Sequence, residues 1–170
     1  MIGRRFDSEL LAVAAEETDI DNRLASIQAL DLVHTDGGST GYVFKHALVR
    51  ESLYESLLTE RREGLHARIA EEIEHRSGNR LAEVAEILAY HYSHTSRVGK
   101  AFAYLSLAGT KSLSIYSLDE AATHLTAALA LLDENPDCAS DAQVTDFLVS
   151  YLSLLDLSAQ VKREIEVLPR

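Results

Sequence analysis

Apolar residues recur along this chain at three- and four-residue intervals, except in one short stretch of alternation and turn chemistry. Asp7 to Ala15 reads as a first helix, capped by Asp7 or Ser8, with Leu10, Leu11, Val13 and Ala14 as its apolar content. Asp19 to Leu30 reads as a second, with Ile20, Leu24, Ile27 and Leu30 on one stripe. The period then changes. Asp31 to Thr35 is partly alternating, Asp36 to Gly41 is the densest turn signal in the chain, and Tyr42-Val43-Phe44 resumes with aromatic and β-branched residues. Asp-Gly and Gly-Gly supply the positive φ of a tight turn, which predicts a two-stranded hairpin.

Everything after Phe44 carries the helical period. His46 to Leu58 predicts one helix, with Leu48, Val49, Leu53, Tyr54 and Leu57 as its apolar positions. Thr59 is the expected cap of the next, which shows Leu65, Ile69 and Ile73 and stops near Arg76 at Ser77-Gly78-Asn79. Leu81, Val84, Ala85, Leu88 and Tyr92 mark a further helix. Lys100 to Leu113 and Leu118 to Leu132 read as a pair, the second with the cleanest amphipathic stripe in the chain. Asp141 to Leu168 is the last helical run, with a break expected near Ser158.

The fold class that follows is mainly α. Residues 1–78 are expected to form a winged-helix-like domain with its small two-stranded hairpin. Residues 79–170 are expected to form a truncated region of tetratricopeptide-like repeats, an α-solenoid of antiparallel helix pairs. Gly109, Ala121, Leu125 and Ala128 stand at the spacing of the small and apolar landmarks of such a repeat, where small side chains let paired helices approach. Ser112 occupies the slot usually held by Tyr, and Pro136 falls three residues late.

Composition narrows the partners. The 170 residues are 46% apolar and 25% charged, and the formal net charge is −11. An acidic chain repels polyphosphate, so nonspecific nucleic-acid binding is not expected. Arg4-Arg5, Arg61-Arg62 and Arg76 with Arg80 are each diluted by Glu or Asp and read as solvated helix faces. Cys138 is the single cysteine, so no disulfide forms within the chain. Arg4, Arg5, Asp7 and Glu9 interrupt the signature of a signal peptide, and Phe147 to Leu157 is too short and too polar to span a bilayer. A cytoplasmic location is expected.

Several of these residues carry a resemblance. The run Ile2 to Phe6, the hairpin, Phe44-Lys45-His46-Ala47-Leu48-Val49-Arg50-Glu51, Tyr54 to Leu58, Arg61-Arg62 and Leu65-His66 resembles signalling ATPases of the STAND class. More closely it resembles the segment that follows the ATPase core in bacterial proteins carrying an N-terminal class III adenylate/guanylate cyclase. Ala85 to Tyr92, Lys100-Ala101 and Ala108-Gly109 fit the same pattern. The resemblance implies an order of cyclase, AAA-like ATPase, winged helix and tetratricopeptide-like helices. It further implies a regulatory and protein-interaction role that couples nucleotide state to an effector. ATP or ADP would belong to the parent protein, and this segment is expected to bind no cofactor and to be no enzyme. Its partners would be the upstream ATPase domain, the downstream helical repeats of the same chain, and other proteins.

His46 is the leading functional candidate. The resemblance implies that it contacts the β-phosphate of ADP in the full-length protein, although Ala47 stands where plant and animal relatives commonly carry Asp. An imidazole beside a helix N-terminus offers a donor where the helix dipole favours an anion. The same residue could equally serve only to cap its own helix. His91 and His94, at i and i+3, offer half a metal site, and an ordinary helical surface is the preferred reading. Arg61-Arg62 beside His66 could grip a phosphate, or could balance Glu55, Glu60 and Glu63.

No glycine-rich phosphate loop occurs: Asp36-Gly37-Gly38 leads into a strand and not a helix. No nucleophile sits on a strand-to-helix elbow, and no catalytic residue is expected. The competing reading is a DNA-binding winged-helix regulator. It would read bases with the helix from His46, which offers Arg50 as its only cation alongside Glu51 and Glu55.

Overall fold

In the computed structural model, residues 5–15, 19–37 and 41–167 are described. They are mainly helical, and the chain divides into two compact units, Met1–Arg76 and Ser77–Arg170.

The first described element is a strand, β1 (Arg5–Asp7), which the sequence pattern did not predict. The helix α1 (Ser8–Ala15) follows as expected, with Asp7 as its cap. Its Oδ1 accepts from the backbone N–H of Glu9 at 2.8 Å and of Leu10 at 3.2 Å. Next come α2 (Ile20–Ala29), β2 (Val33–Thr35) and β3 (Gly41–Phe44). The expected two-stranded hairpin is thus part of a three-stranded antiparallel sheet of order β1-β3-β2. Phe6 pairs with Tyr42, and Val33 pairs with Phe44.

This register puts Phe6, Val33, Tyr42 and Phe44 on one face, where they pack with Ile20 and Leu24 of α2 and with Leu11 of α1. The Phe6 ring stacks on Tyr42 at 5.7 Å and meets Phe44 at 5.4 Å. An aromatic in a three-residue strand therefore anchors the core of this unit. Two further helices follow, α3 (Ala47–Glu55) and α4 (Thr59–Ser77). Residues 38–40 of the expected turn lie outside the described residues. The flanking backbone bond, Asp36 N–H to Gly41 carbonyl at 2.9 Å, closes the hairpin.

The second unit starts with a 3-10 turn, Gly78–Glu83, which Gly78 enters at a φ of +50° that glycine adopts without strain. The helices α5 (Ala85–Tyr92), α6 (Val98–Ser114), α7 (Leu118–Glu134) and α8 (Asp141–Val167) follow, with a second 3-10 turn at Pro136–Cys138. The expected break near Ser158 is absent: α8 runs unbroken for 27 residues. Ser150 and Ser153 bond back to the preceding turn, Ser150 Oγ to the Asp146 carbonyl at 3.3 Å and Ser153 Oγ to the Val149 carbonyl at 2.8 Å, without interrupting the helix.

Small residues line the crossing between α6 and α7. Ala108, Gly109, Ala121 and Ala128 are all buried there. A Cβ placed on Gly109 would lie 2.5 Å from Cγ of the fully buried Leu125. Tyr92 of α5 stacks on Tyr104 of α6 at 5.5 Å with planes 5° apart, and Phe102 of α6 meets Phe147 of α8 at 5.4 Å. The corner from α6 to α7 closes as a Schellman motif, with the Ser117 N–H on the Ser112 carbonyl at 2.9 Å and the Tyr116 N–H on the Leu113 carbonyl at 3.0 Å. Tyr116 takes the left-handed position at φ +58°, where glycine is usual.

Candidate functional site

The amino end of α3 is built by the hairpin. Asp31 ends α2 in the left-handed conformation, φ +59°, and its N–H bonds the Gln28 carbonyl at 2.9 Å. From there the chain enters β2, and the Lys45 N–H returns to the Leu32 carbonyl at 3.0 Å. The Lys45 ammonium pairs with the Asp31 carboxylate. Lys45 pulls that carboxyl below its usual range by hydrogen bond and charge, and His46 and His34 add weaker pulls in the same direction. The result is an exposed corner of Asp31, His34, Lys45 and His46.

His46 itself is extended, φ −120° and ψ 118°, at the N-cap position of α3. Its carbonyl accepts the first helical bond from the Arg50 N–H at 3.3 Å. Its side chain is exposed and makes no hydrogen bond that caps the helix. The apolar stripe read from the sequence is only partly covered: Val49, Tyr54 and Leu57 are half-buried. No residue of α3 is fully buried, and Leu48 (76% exposed) and Leu53 (52%) stand open, with Leu58 open just past the helix.

The cation that base reading would need, Arg50, is half-buried, and its Nε is buried without a hydrogen-bond partner among the described residues. Burial removes that edge of the guanidinium from bidentate recognition of a base.

His66, close in sequence to the Arg61-Arg62 pair that could grip a phosphate or balance nearby carboxylates, lies in the core. Its ring is fully buried, with Nε2 3.1 Å from the Tyr54 hydroxyl. The Arg62 guanidinium lies over the Tyr54 ring at 5.3 Å, which ties one of the two arginines to the aromatic face. The sequence set Tyr54 in the stripe of one helix and His66 beside the stripe of the next. Their meeting needs the α3–α4 turn, which no local pattern specifies.

The reading of His91 with His94 as helical surface needs correction. His91 is buried, because the last turn of α5 packs on its neighbours, while His94 is exposed with Nδ1 2.8 Å from the Tyr90 carbonyl. Burial lowers the His91 pKa to about 3, so the ring is neutral near pH 7. Among the described residues no group of three or more His, Cys, Asp or Glu is placed to hold a metal. Burial pushes the Cys138 thiol up, which disfavours the nucleophilic thiolate. Cys138 lines a shallow groove of about 800 Å³ with Arg97, Gly99, Lys100 and Asp137. Among the described residues no helix is long and apolar enough to cross a membrane.

No protein-family model, curated protein or solved structure matches this chain.

Proposed function

We propose that this chain is the regulatory and protein-interaction segment of a multidomain signalling ATPase of the adenylate/guanylate cyclase type. In this reading it couples nucleotide state to an effector and does no bond-making of its own. Residues 1–78 act as a winged-helix-like unit against an upstream ATPase domain, and residues 79–170 as tetratricopeptide-like helices for protein contacts in the cytoplasm. ATP or ADP would sit in the ATPase domain, with His46 as its phosphate contact.

One observation carries this reading: Leu48, Leu53 and Leu58 are exposed along and just past a helix headed by an exposed His46 whose side chain that helix does not use. Large apolar side chains left open along one element are the kind of surface a neighbouring domain covers. An imidazole next to Lys45 at a helix N-terminus is chemically suited to an anion. The first test is the reading frame upstream of Met1, which should encode a phosphate-binding loop; a frame without one overturns the proposal. The second is ADP retention by the full-length protein. His46→Ala should speed ADP release about tenfold, the loss of one charge-assisted hydrogen bond. Unchanged retention would remove His46 from the mechanism.

A further inference from the structure

The last helix, α8, is much longer than the face it has to cover. Phe147 and Leu154 are its buried residues, and Thr110 Oγ1 of α6 meets Ser150 Oγ at 2.8 Å on the same side. Roughly a third of a turn away runs a second apolar stripe: Leu148 (44% exposed), Leu152 (63%) and Leu155 (50%), flanked by Val149. At helical spacing the same stripe is headed by Asp141 and followed by Lys162.

The arrangement is self-complementary. Leu148 and Leu155 are placed symmetrically about the point between residues 151 and 152, and so are Asp141 and Lys162. A two-fold axis through that one point, perpendicular to the helix, would therefore satisfy the apolar and the charged positions together.

We propose that the stripe on α8 is the contact between two copies of this chain, paired antiparallel. Leu148 of one copy packs against Leu155 of the other, Leu152 sits at the axis, and Asp141 of each copy pairs with Lys162 of the other. Antiparallel pairing also sets the two helix dipoles in opposition. The charge match selects this occupant over a generic apolar partner, because a net charge of −11 on each copy otherwise disfavours association. The inference extends the reading of the second unit as an interaction scaffold and does not depend on the nucleotide contact at His46.

Sedimentation velocity on the chain across micromolar concentrations tests it. The wild type should run as a dimer that dissociates on dilution. Leu152→Glu should give a monomer with unchanged helicity, since the side chain is exposed and its loss opens no cavity. Asp141→Lys and Lys162→Asp should each weaken the dimer about tenfold or more, and the combination of both should restore it. A monomer at every concentration overturns the proposal and assigns the stripe to another segment or protein. A dimer indifferent to both charge reversals overturns it as well, since it reports non-specific adhesion. Neither failure bears on ADP retention, which tests the role of His46 separately.

Discussion

Gly109 offers the most direct test of the packing. In the middle of a 17-residue helix, replacing glycine with alanine ordinarily stabilises by about 1 kcal/mol, through backbone entropy. Here the sign should reverse. The new methyl carbon would fall 2.5 Å from Leu125 Cγ, 2.6 Å from Cδ2 and 3.4 Å from Cδ1. Leu125 is fully buried, with Ala121 and Ala128 packed on the same helix, so it has nowhere to retreat. Overpacking of this kind costs about 1–3 kcal/mol, and three close atoms place Gly109→Ala toward the upper end. After the helix-propensity gain the net loss should be about 1–2 kcal/mol, a fall of about 0.5–1 M in the urea midpoint followed by far-UV circular dichroism.

Leu125→Ala alone should cost about 3 kcal/mol as a core truncation. In that background the clash is gone, and Gly109→Ala should become neutral or stabilising by up to about 1 kcal/mol. The double-mutant cycle should therefore show a coupling of about 1–3 kcal/mol. Additive effects, or a Gly109→Ala variant more stable than wild type, would refute the argument that close approach at this point requires glycine.

Two further outcomes follow from buried histidines. With its pKa lowered to about 3, His91 stays neutral in the folded chain while the unfolded chain takes up a proton near pH 6.5. The unfolded state binds more protons across that window, so the contribution is complete above pH 6.5 and is lost as the pH falls toward 3. The loss should reach about 2 kcal/mol by pH 5. Denaturation midpoints at pH 7.5 and pH 5 should differ more in wild type than in His91→Gln, and equal differences would refute this. Tyr54→Phe removes the hydroxyl that meets the fully buried His66 Nε2 and should cost about 1 kcal/mol, read as a lowered thermal midpoint. Tyr54→Leu should cost more, because the ring under Arg62 goes as well; equal losses in the two variants would discount that contact.

What the sequence made legible was what rests on local periodicity. The helices α2, α4, α6 and α7 fall within a few residues of their expected spans, because each carries a stripe, a cap residue or a glycine stop in its own sequence. Gly109 and Leu125 were singled out by spacing alone and do touch. Where the reading failed, the deciding partner lay elsewhere in the chain. The segment Arg5–Asp7 is too short to show alternation and becomes a strand because β3 offers it an edge and Phe6 finds Tyr42 and Phe44. His91 looked like surface because its neighbours in sequence are polar or aromatic, while packing around the end of α5 buries it. The α3 stripe has a good helical period, yet Leu48 and Leu53 are exposed: amphipathicity indicates that a face wants cover and does not say who provides it.

The strand order has a practical consequence for any shortened version of the protein. β3 lies between β1 and β2, so the residues that protect one of its sides come from ahead of α1, far in sequence from the hairpin that gives it its other neighbour. Trimming through Asp7 would remove the Phe6 ring and also leave Gly41–Phe44 as an open, aromatic-rich border ready to recruit strands from other molecules. Shortened versions beginning at α1 should therefore precipitate even though every helix is retained, and a start point ahead of Arg5 is the safer choice for expression.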